Sequence, residues 1–561
     1  MRRVALVLAA LVVAAIVAVW LAWPKGPTLV PGAQLPETSA AGAPAEPLPK
    51  PASTEPPLRP GEEVTVELLE APAQMYAQPP REGQDYAYEG VVRELGRRDV
   101  GYDPLLGRAA RELANQQAIF DGTVPDDVLD FVLRASGAVD LSVLQGYSAT
   151  SRDDMGTARA QVEMALARAS GARVRVGIGE VWKLGAPLPR VLGVVVSRRQ
   201  IEIEPTPRRV EPGQTWSVRG TLPSGFREPS AVVMFGPRGK VERLAVEAQD
   251  ARFRVEVTAP RDPQTFTVAV SAVGPHGGTP LVQLPVEVGR EPPSSFTTRT
   301  APDESEVTGV EAAEALALAL LNDDRARFAL PLLQRERQLD AVARAHSEDM
   351  RDHGFFGHVS PTTGGPSDRL TRARVRTVAH GENVASGNSL HELEQALLGS
   401  LPHRQNILAE FSRVGIGVAQ KQEGGRTVWH LTQLFGDLAE TIDAADWKRR
   451  LEQMMGSMRQ QAGQPPLARD TTLEGIADRH ARLPEADATR SDGLLDALQR
   501  TPLEGAGAIA WVATASRFDQ IQLPTRINEA PMRRYGLAVF QPSDDPRGTV
   551  HLALVLTGDP R

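Results

Sequence analysis

Residues 338–350 read QLDAVARAHSEDM, and residues 413–419 read RVGIGVA. The first stretch carries apolar residues at helical spacing with Gly354 shortly after it, and this predicts a helix over 338–351. The second stretch and TVWHLTQLF at 427–435 are typical of strands, with two glycines at the turn between them. These elements predict a mixed α/β domain over 307–438. Further predicted elements of this domain are helices at 310–322 and 390–400.

Four residues of this domain are candidates for chemistry. Imidazole and carboxylate groups that converge on one pocket suit zinc, and three protein ligands would leave a position for water. The candidates are spread over about seventy positions, so their spacing alone does not reveal a cluster. They are His358 in FFGHVSP (355–361), Glu382 in HGENVASG (380–387), His403 in LPHRQNIL (401–408) and His430 in VWHLTQLFG (428–436).

Four segments, taken in order, resemble the CAP superfamily, which comprises the cysteine-rich secretory and pathogenesis-related proteins. They are QLDAVARAHSEDM, FFGHVSP, HGENVASG with LPHRQNIL, and RVGIGVA followed by VWHLTQLFG. The resemblance covers about 130 residues and is nearest to the bacterial, cysteine-free branch. It implies an α-β-α sandwich with a central antiparallel sheet. It also implies that His358, Glu382 and His430 line a cavity, with His403 near them, and that zinc or another divalent ion binds there. The family's second cavity glutamate has no clear counterpart, since Ser400 falls near its place.

Other residues with chemical potential have simpler interpretations. His346 lies within the helix at 338–351 and is expected to pack structurally. The run HELEQ at 391–395 nearly matches the zincin helix, but Gln395 replaces the second histidine, so a zincin is rejected. Ser360 lacks the Gly-x-Ser-x-Gly elbow of a hydrolase nucleophile. The remaining polar residues of these motifs, expected to make structural hydrogen bonds, are Asn383, Arg404 and Asn406.

The same pattern recurs twice. LEGIADRH at 473–480 parallels LDAVARAH at 339–346, and RVGIG at 175–179 repeats 413–417 letter for letter. We therefore predict degenerate CAP-like domains at 62–199 and 439–561, neither of which has the residues for a metal site. Within the first of them, helices are predicted at 88–95, 104–117, 126–135 and 156–169, and strands at 173–181 and 190–196.

Residues 200–290 have a different sequence pattern from the mixed α/β segments on either side. Short strand-like runs alternate with turns rich in proline and glycine, which predicts an immunoglobulin-like β-sandwich. Strands are expected at 201–203, 215–219, 231–235, 253–258, 266–272 and 282–288. Residues 291–306 are predicted to be a linker.

The N-terminus indicates export. Residues 4–23 are twenty apolar residues that follow Arg2 and Arg3, which is long enough to span a bilayer. Bulky Trp20 and Trp23 favour an uncleaved anchor at 1–23 over a cleaved signal peptide. The segment 24–61 holds eleven prolines and is predicted to be an extended spacer.

The composition and net charge of the chain exclude some classes of function. The chain of 561 residues has a net charge of −8 and no cysteine. A strongly basic nucleic-acid binder, disulfides and thiolate metal sites are therefore excluded. We expect a multidomain protein of the cell envelope, on the exported side of the membrane, or secreted if the anchor is cut. We expect its function to be the binding of a lipid, wall polymer or protein ligand. The alternative is metal-dependent hydrolysis through His358, Glu382 and His430.

Overall fold

The computed structural model describes residues 59–558 except for 81–82, 118, 121–123, 142, 151–154, 169–173, 184–187, 199–200, 424–425, 501–506, 544 and 546. The predicted anchor at 1–23 and nearly all of the proline-rich spacer lie outside these residues. Among the described residues, no helix is long and apolar enough to cross a membrane. The chain is a mixed α/β, multidomain protein.

The N-terminal segment folds around a four-stranded sheet. Its elements are β1 (Glu63–Glu67), β2 (Met75–Tyr76), α1 (Glu89–Glu94), β3 (Val100–Tyr102), α2 (Pro104–Gln116), α3 (Asp126–Ala135), β4 (Val143–Thr150), α4 (Met155–Arg168), β5 (Val174–Trp182) and β6 (Arg190–Ser197). The strand order is β3-β5-β6-β4, with β3 parallel to β5 and the other pairs antiparallel. The predicted helices and strands are confirmed to within two residues at most of their ends. Strand β4 was not predicted, because its sequence VLQGYSAT has no strict alternation.

The middle segment consists of two sheets packed face to face. Its strands are β7 (Glu202–Ile203), β8 (Thr206–Pro207), β9 (Arg209–Val210), β10 (Thr215–Thr221), β11 (Arg227–Phe235), β12 (Val241–Leu244), β13 (Val246–Gln249), β14 (Arg252–Thr258), β15 (Thr265–Gly274) and β16 (Gly277–Val288). The sheets have the orders β13-β14-β10-β7 and β12-β11-β15-β16-β9. Val218 and Val255 from one sheet and Val268 and Leu284 from the other share one buried core. This agrees with the predicted sandwich, while the immunoglobulin-like assignment stays a prediction.

Residues 291–306 are not simply a linker. Strand β17 (Ser295–Arg299) pairs antiparallel with β1 along its whole length. The side chains alternate along both strands, and Val66 and Thr298 are buried. The prediction was incomplete because the pairing partner lies more than 200 residues away in the sequence.

The next segment holds the candidate residues. Its elements are α5 (Val310–Arg327), β18 (Gln334–Arg335), α6 (Arg337–His353), α7 (Pro366–Arg372), β19 (Thr377–Gly387), α8 (Leu390–Gly399), α9 (Leu401–Ile407), β20 (Arg413–Glu423) and β21 (Arg426–Leu438). The sheet order is β18-β20-β21-β19, with β18 parallel to β20. Three predicted helices and two predicted strands are confirmed with shifted ends. The structure adds α7, α9, β18 and β19, whose short or polar sequences give no clear period.

The C-terminal segment repeats this arrangement. Its elements are α10 (Ala444–Gln461), β22 (Ala468–Arg469), α11 (Thr471–Ala481), α12 (Glu485–Ala488), α13 (Ser491–Gln499), β23 (Ala508–Ala515), β24 (Arg534–Phe540) and β25 (Val550–Thr557). The order β22-β24-β25-β23 and the parallel first pair match the other two mixed sheets. The three segments thus share a topology, and their assignment as CAP copies at 62–199 and 439–561 stays a prediction.

One helix lies directly on a strand in each of the three segments. A Cβ added to Gly177, Gly415 or Gly536 would lie 2.0–2.1 Å from a helix carbonyl carbon. Gly417, two residues further along β20, would meet the backbone nitrogen of Arg344 at 2.0 Å. The glycines of the repeated RVGIG stretch are therefore required because the helix backbone contacts the strand backbone, which leaves no room for a side chain.

The start of each of these helices is fixed in the same way. The backbone N–H groups of Asp103, Glu336 and Asp470, which cap α2, α6 and α11, each donate to a strand carbonyl at 2.9 Å. Their side chains accept backbone N–H groups of the first turn. This anchors α6, and with it His346, over the sheet.

We expect Gly417→Ala to destabilise the chain by about 1–3 kcal/mol or more, because the added methyl group overlaps the backbone of α6. The measurement is the free energy of unfolding in urea. Gly456→Ala, in an exposed part of α10 with no atom within 4 Å of the added carbon, is the matched control. It should stabilise by up to about 1 kcal/mol. Equal stability of Gly417→Ala and wild type would contradict the close helix–strand contact.

Candidate functional site

The carboxylate of Glu382 lies at the centre of the candidate site. It is carried by β19 and faces α6, with only 2% of its side chain exposed. One oxygen, Oε1, lies 3.0 Å from Nδ1 of His358, and the other accepts a hydrogen bond of 2.5 Å from Nη2 of Arg369. Burial opposes ionisation of this carboxyl, but the hydrogen bond from His358 and the charge of Arg369 outweigh it and lower the pKa of Glu382.

Arg369 neutralises Glu382 and also holds the loop that carries His358. It comes from α7 and is buried. Its Nη1 donates to the carbonyls of His358 at 3.0 Å and Gly364 at 2.7 Å. Sequence reasoning missed Arg369, because nothing distinguishes it among 62 lysine and arginine residues until the fold is known.

The loop that carries His358 is fixed at its far end by Asp349 of α6. The hydroxyl of Ser360 donates to Asp349 at 2.5 Å, and that of Thr362 donates to the same carboxylate at 2.8 Å. Ser360 and Gly364 form an antiparallel bridge that closes the loop. The Ser360 hydroxyl is committed to Asp349, so no Ser–His–Glu triad forms here.

Two further imidazoles lie beside this pair. His346 of α6 is fully buried, with Nε2 3.0 Å from the carbonyl of Gly357 and 3.8 Å from Glu382 Oε1. Burial lowers the pKa of His346 to about 4. Sequence analysis gave His346 only a packing role, whereas it also contacts the central carboxylate.

His403 of α9 is the other imidazole. Its ring centroid lies 6.4 Å from that of His358, and its Nδ1 lies 2.9 Å from the hydroxyl of Ser400. Burial, followed by the charge of His358, lowers the pKa of His403 to about 3. His346 and His403 are therefore neutral near pH 7. We call His346, His358, Arg369, Glu382 and His403 the His–Glu cluster.

The structure does not bring His430 to this cluster. In the register of the sheet, Glu382 pairs with Leu434, whereas His430 pairs with Ser386 and Ala419. Four residues along a strand correspond to about 13 Å. The expectation that His358, Glu382 and His430 converge therefore fails for His430. The sequence could not reveal this, because the register of β19 against β21 is not encoded in either strand alone. Trp429 and Leu431, which flank His430 and alternate onto the opposite face of β21, are buried in the core.

A chain of amides supports the backbone at Glu382. Asn406 donates to the carbonyl of Glu382 at 3.1 Å and to Asn383 at 2.9 Å, and Asn383 donates to Gln433 at 3.0 Å. Gln433 in turn donates to Glu394 at 2.5 Å, and burial raises the pKa of Glu394 to about 8. The predicted structural role of Asn383 and Asn406 is confirmed.

The sandwich supplies one wall of the cluster. The turn between β15 and β16 carries His276, whose carbonyl accepts the N–H of Val359 at 3.0 Å. The His276 ring stacks on Phe355 with centroids 5.8 Å apart. A Cβ on Gly277 would lie 3.1 Å from Cβ of His358. The sandwich therefore packs directly against His358, whose side chain is 20% exposed to solvent.

The cluster does not fit a divalent metal in this arrangement. Each oxygen of Glu382 already faces a nitrogen donor, and one of these donors is the guanidinium cation of Arg369, which a divalent ion would have to displace from the carboxylate. Among the described residues, no group of three His, Cys, Asp or Glu side chains is placed to hold a metal ion. The metal site at His358, Glu382, His403 and His430 stays a prediction.

Comparison with known proteins identifies the family of the segment that carries the cluster. Residues 318–435 match the family model described as CAP, the cysteine-rich secretory protein family. The chain contains a CAP domain. The resemblance inferred from the four sequence segments is thereby confirmed, and the CAP domain includes every member of the His–Glu cluster.

Two curated relatives come from Bacillus subtilis (strain 168). The uncharacterized protein YkwD is 36% identical over 126 residues, which cover 22% of this chain and 47% of the relative. The uncharacterized membrane protein YlbC is 34% identical over 109 residues, covering 18% of this chain and 31% of the relative. The matched part thus spans less than half of either relative.

Solved structures similar to the chain include two bacterial proteins. An extracellular protein containing a SCP domain from Bacillus anthracis str. Ames is 21% identical, with a TM-score of 0.20, and the match covers 40% of this chain and 81% of that one. An outer surface protein from Borrelia burgdorferi is 18% identical, with a TM-score of 0.21, and the match covers 24% of this chain and 96% of that one.

The neutral state of His403 predicts a pH dependence. Its pKa lies well below the ordinary value of 6.5, so the unfolded chain binds a proton that the folded chain does not. Its contribution to stability is therefore complete above about pH 6.5 and is lost as the pH falls toward about 3. We expect His403→Gln to lose less stability than wild type between pH 7 and pH 5, measured by urea unfolding at each pH. Parallel losses in the two proteins would contradict a buried neutral His403.

Proposed function

We propose that the chain is an exported protein of the cell envelope whose CAP domain binds a polar ligand, a peptide or glycan segment of a wall polymer, at the His–Glu cluster. The observation that carries the proposal is the compensation of Glu382 by Arg369. A carboxylate held by a guanidinium at 2.5 Å and by His358 at 3.0 Å has a lowered pKa, and both of its oxygens already have a partner. It is poorly suited to act as a general base or as a metal ligand.

The same groups are suited to hydrogen bonding. Neutral imidazoles offer both a donor and an acceptor, which matches the hydroxyl and amide groups of glycans and peptides. His358 keeps 20% of its side chain exposed, so a ligand can reach it. Nδ1 of His346 and Nε of Arg369 are buried and have no hydrogen-bond partner among the described residues. A polar ligand is favoured over a lipid tail by this concentration of polar groups.

The proposed location in the cell envelope is supported by the sequence of the N-terminus and by the name of one relative. The apolar run at 4–23 after Arg2 and Arg3, followed by the proline-rich spacer, favours an anchored protein that extends away from the membrane. A relative in the matched part carries the name membrane protein. A wall polymer is a ligand within reach of a protein built this way.

The test is co-sedimentation of the full chain, kept in mild detergent, with purified peptidoglycan. We expect His358→Ala to bind roughly fivefold more weakly, because it removes the exposed hydrogen-bonding group. His353→Ala is the matched control, since His353 lies on α6 outside the His–Glu cluster, with 54% of its side chain exposed, and its ion-pair partner among the described residues is Asp349. It should bind as wild type does.

A chelator separates the two functions. For a binding module, EDTA should leave the bound fraction unchanged. Release of soluble fragments that stops on chelation and returns with zinc would instead support the metal-dependent hydrolase. Equal binding by wild type and His358→Ala would remove the His–Glu cluster from the binding site.

A further inference from the structure

A cleft lies between the CAP domain and the C-terminal segment. It has a volume of about 870 Å³ and is lined by Arg374 and Arg376 from one side and by Arg482 and Phe540 from the other. A volume of this size is typical of ligand sites, which often occur where domains meet. We propose that this cleft binds a phosphate-bearing ligand through its three arginines.

Arg374 has a backbone conformation that an arginine does not favour. It follows the end of α7 with a φ of 56°, in the left-handed region. The N–H of Arg374 donates to the carbonyl of Thr371 and that of Val375 to the carbonyl of Leu370. This is the Schellman arrangement, in which glycine is the usual residue at the left-handed position. Arginine costs conformational energy at this position relative to glycine, so a glycine substitution here removes the charge of the side chain without adding strain.

The guanidinium of Arg482 stacks on an aromatic ring. Its Cζ lies 4.5 Å from the centroid of Phe540, and its Nε donates to Asp478 at 2.8 Å. The pair with Asp478 is exposed on both sides, so it neutralises the guanidinium only weakly. Stacking on Phe540 orients the planar group and leaves its other donors available.

Arg376 is the third arginine that lines the cleft. Its Nη2 donates to the hydroxyl of Thr441, another lining residue, at 2.7 Å, which fixes the position of the guanidinium in the lining. Neither Arg374 nor Arg376 makes an ion pair with any described residue, so their charges are not neutralised within that part of the chain. The acidic lining residue is Asp545, which accepts the N–H of Thr549 and lies 3.7 Å from Arg547.

The charge and the geometry favour phosphate. Three arginines against one aspartate give the lining a net charge of +2, in a chain whose net charge is −8. A single bidentate arginine satisfies both oxygens of a carboxylate, whereas a phosphate group has oxygens left for a second and a third guanidinium. The phosphate can belong to a soluble ester or polyphosphate, or to a lipid headgroup.

The test measures tripolyphosphate binding to the full chain by isothermal titration, with citrate as the carboxylate comparison. We expect Arg374→Gly and Arg482→Gln each to weaken binding roughly tenfold. Arg374→Gly also relieves the left-handed strain, so its Tm should equal or exceed that of wild type, and its lost binding cannot be ascribed to unfolding. Arg261→Gly, an exposed arginine on a sandwich turn, is the control for loss of one charge and should bind as wild type does.

Vesicles containing phosphatidylglycerol distinguish the source of the phosphate. If tripolyphosphate does not bind but both cleft variants reduce vesicle binding relative to Arg261→Gly, the proposal holds with a lipid headgroup as the ligand. Citrate binding as tightly as tripolyphosphate would overturn the assignment to phosphate. Equal behaviour of wild type, Arg374→Gly and Arg482→Gln with both probes would overturn the site.

Discussion

The buried ion pair between Arg369 and Glu382 is the interaction on which the site depends. A carboxylate that is 2% exposed must be neutralised by a proton, a metal ion or a basic side chain. In this chain the basic side chain is Arg369, which also holds the loop that presents His358. Removing one partner of a buried pair costs about 3–5 kcal/mol, so the pair supports the local fold as well as the chemistry of the cluster.

The position of that pair follows from a packing constraint. The backbone of α6 contacts the backbone of β20 at Gly415 and Gly417, and this sets the height of His346 above the sheet. The C-terminal segment has the same contact at Gly536 and has His480 at the place of His346. Both segments also bury an arginine that donates to loop carbonyls, Arg325 and Arg459. The C-terminal segment therefore retains the helix-on-sheet packing, but it has no counterpart of the arginine–glutamate pair among the described residues.

Which features of this protein can be predicted from its sequence depends on how far apart the interacting residues lie along the chain. The helix at 337–353 and the hairpin at 413–438 carry their own periodicity, so both were predictable from local pattern. Glu382 and His358 were found through a family resemblance, because 24 residues separate them and no spacing rule joins them. Arg369 and the exclusion of His430 depend on strand register and on the position of a short helix. Neither is encoded locally, and both add to the site a feature that the sequence did not predict, a carboxylate compensated by an arginine, while the metal centre stays a prediction.

Zinc stoichiometry is the most direct test of that interpretation. The full chain and its His358→Ala variant would be equilibrated with Zn²⁺ at neutral pH, and tightly bound metal would be counted after buffer exchange. If Arg369 compensates Glu382 in place of a metal ion, the zinc content of the two proteins should be the same. One equivalent of zinc in wild type that is lost in His358→Ala would contradict the account.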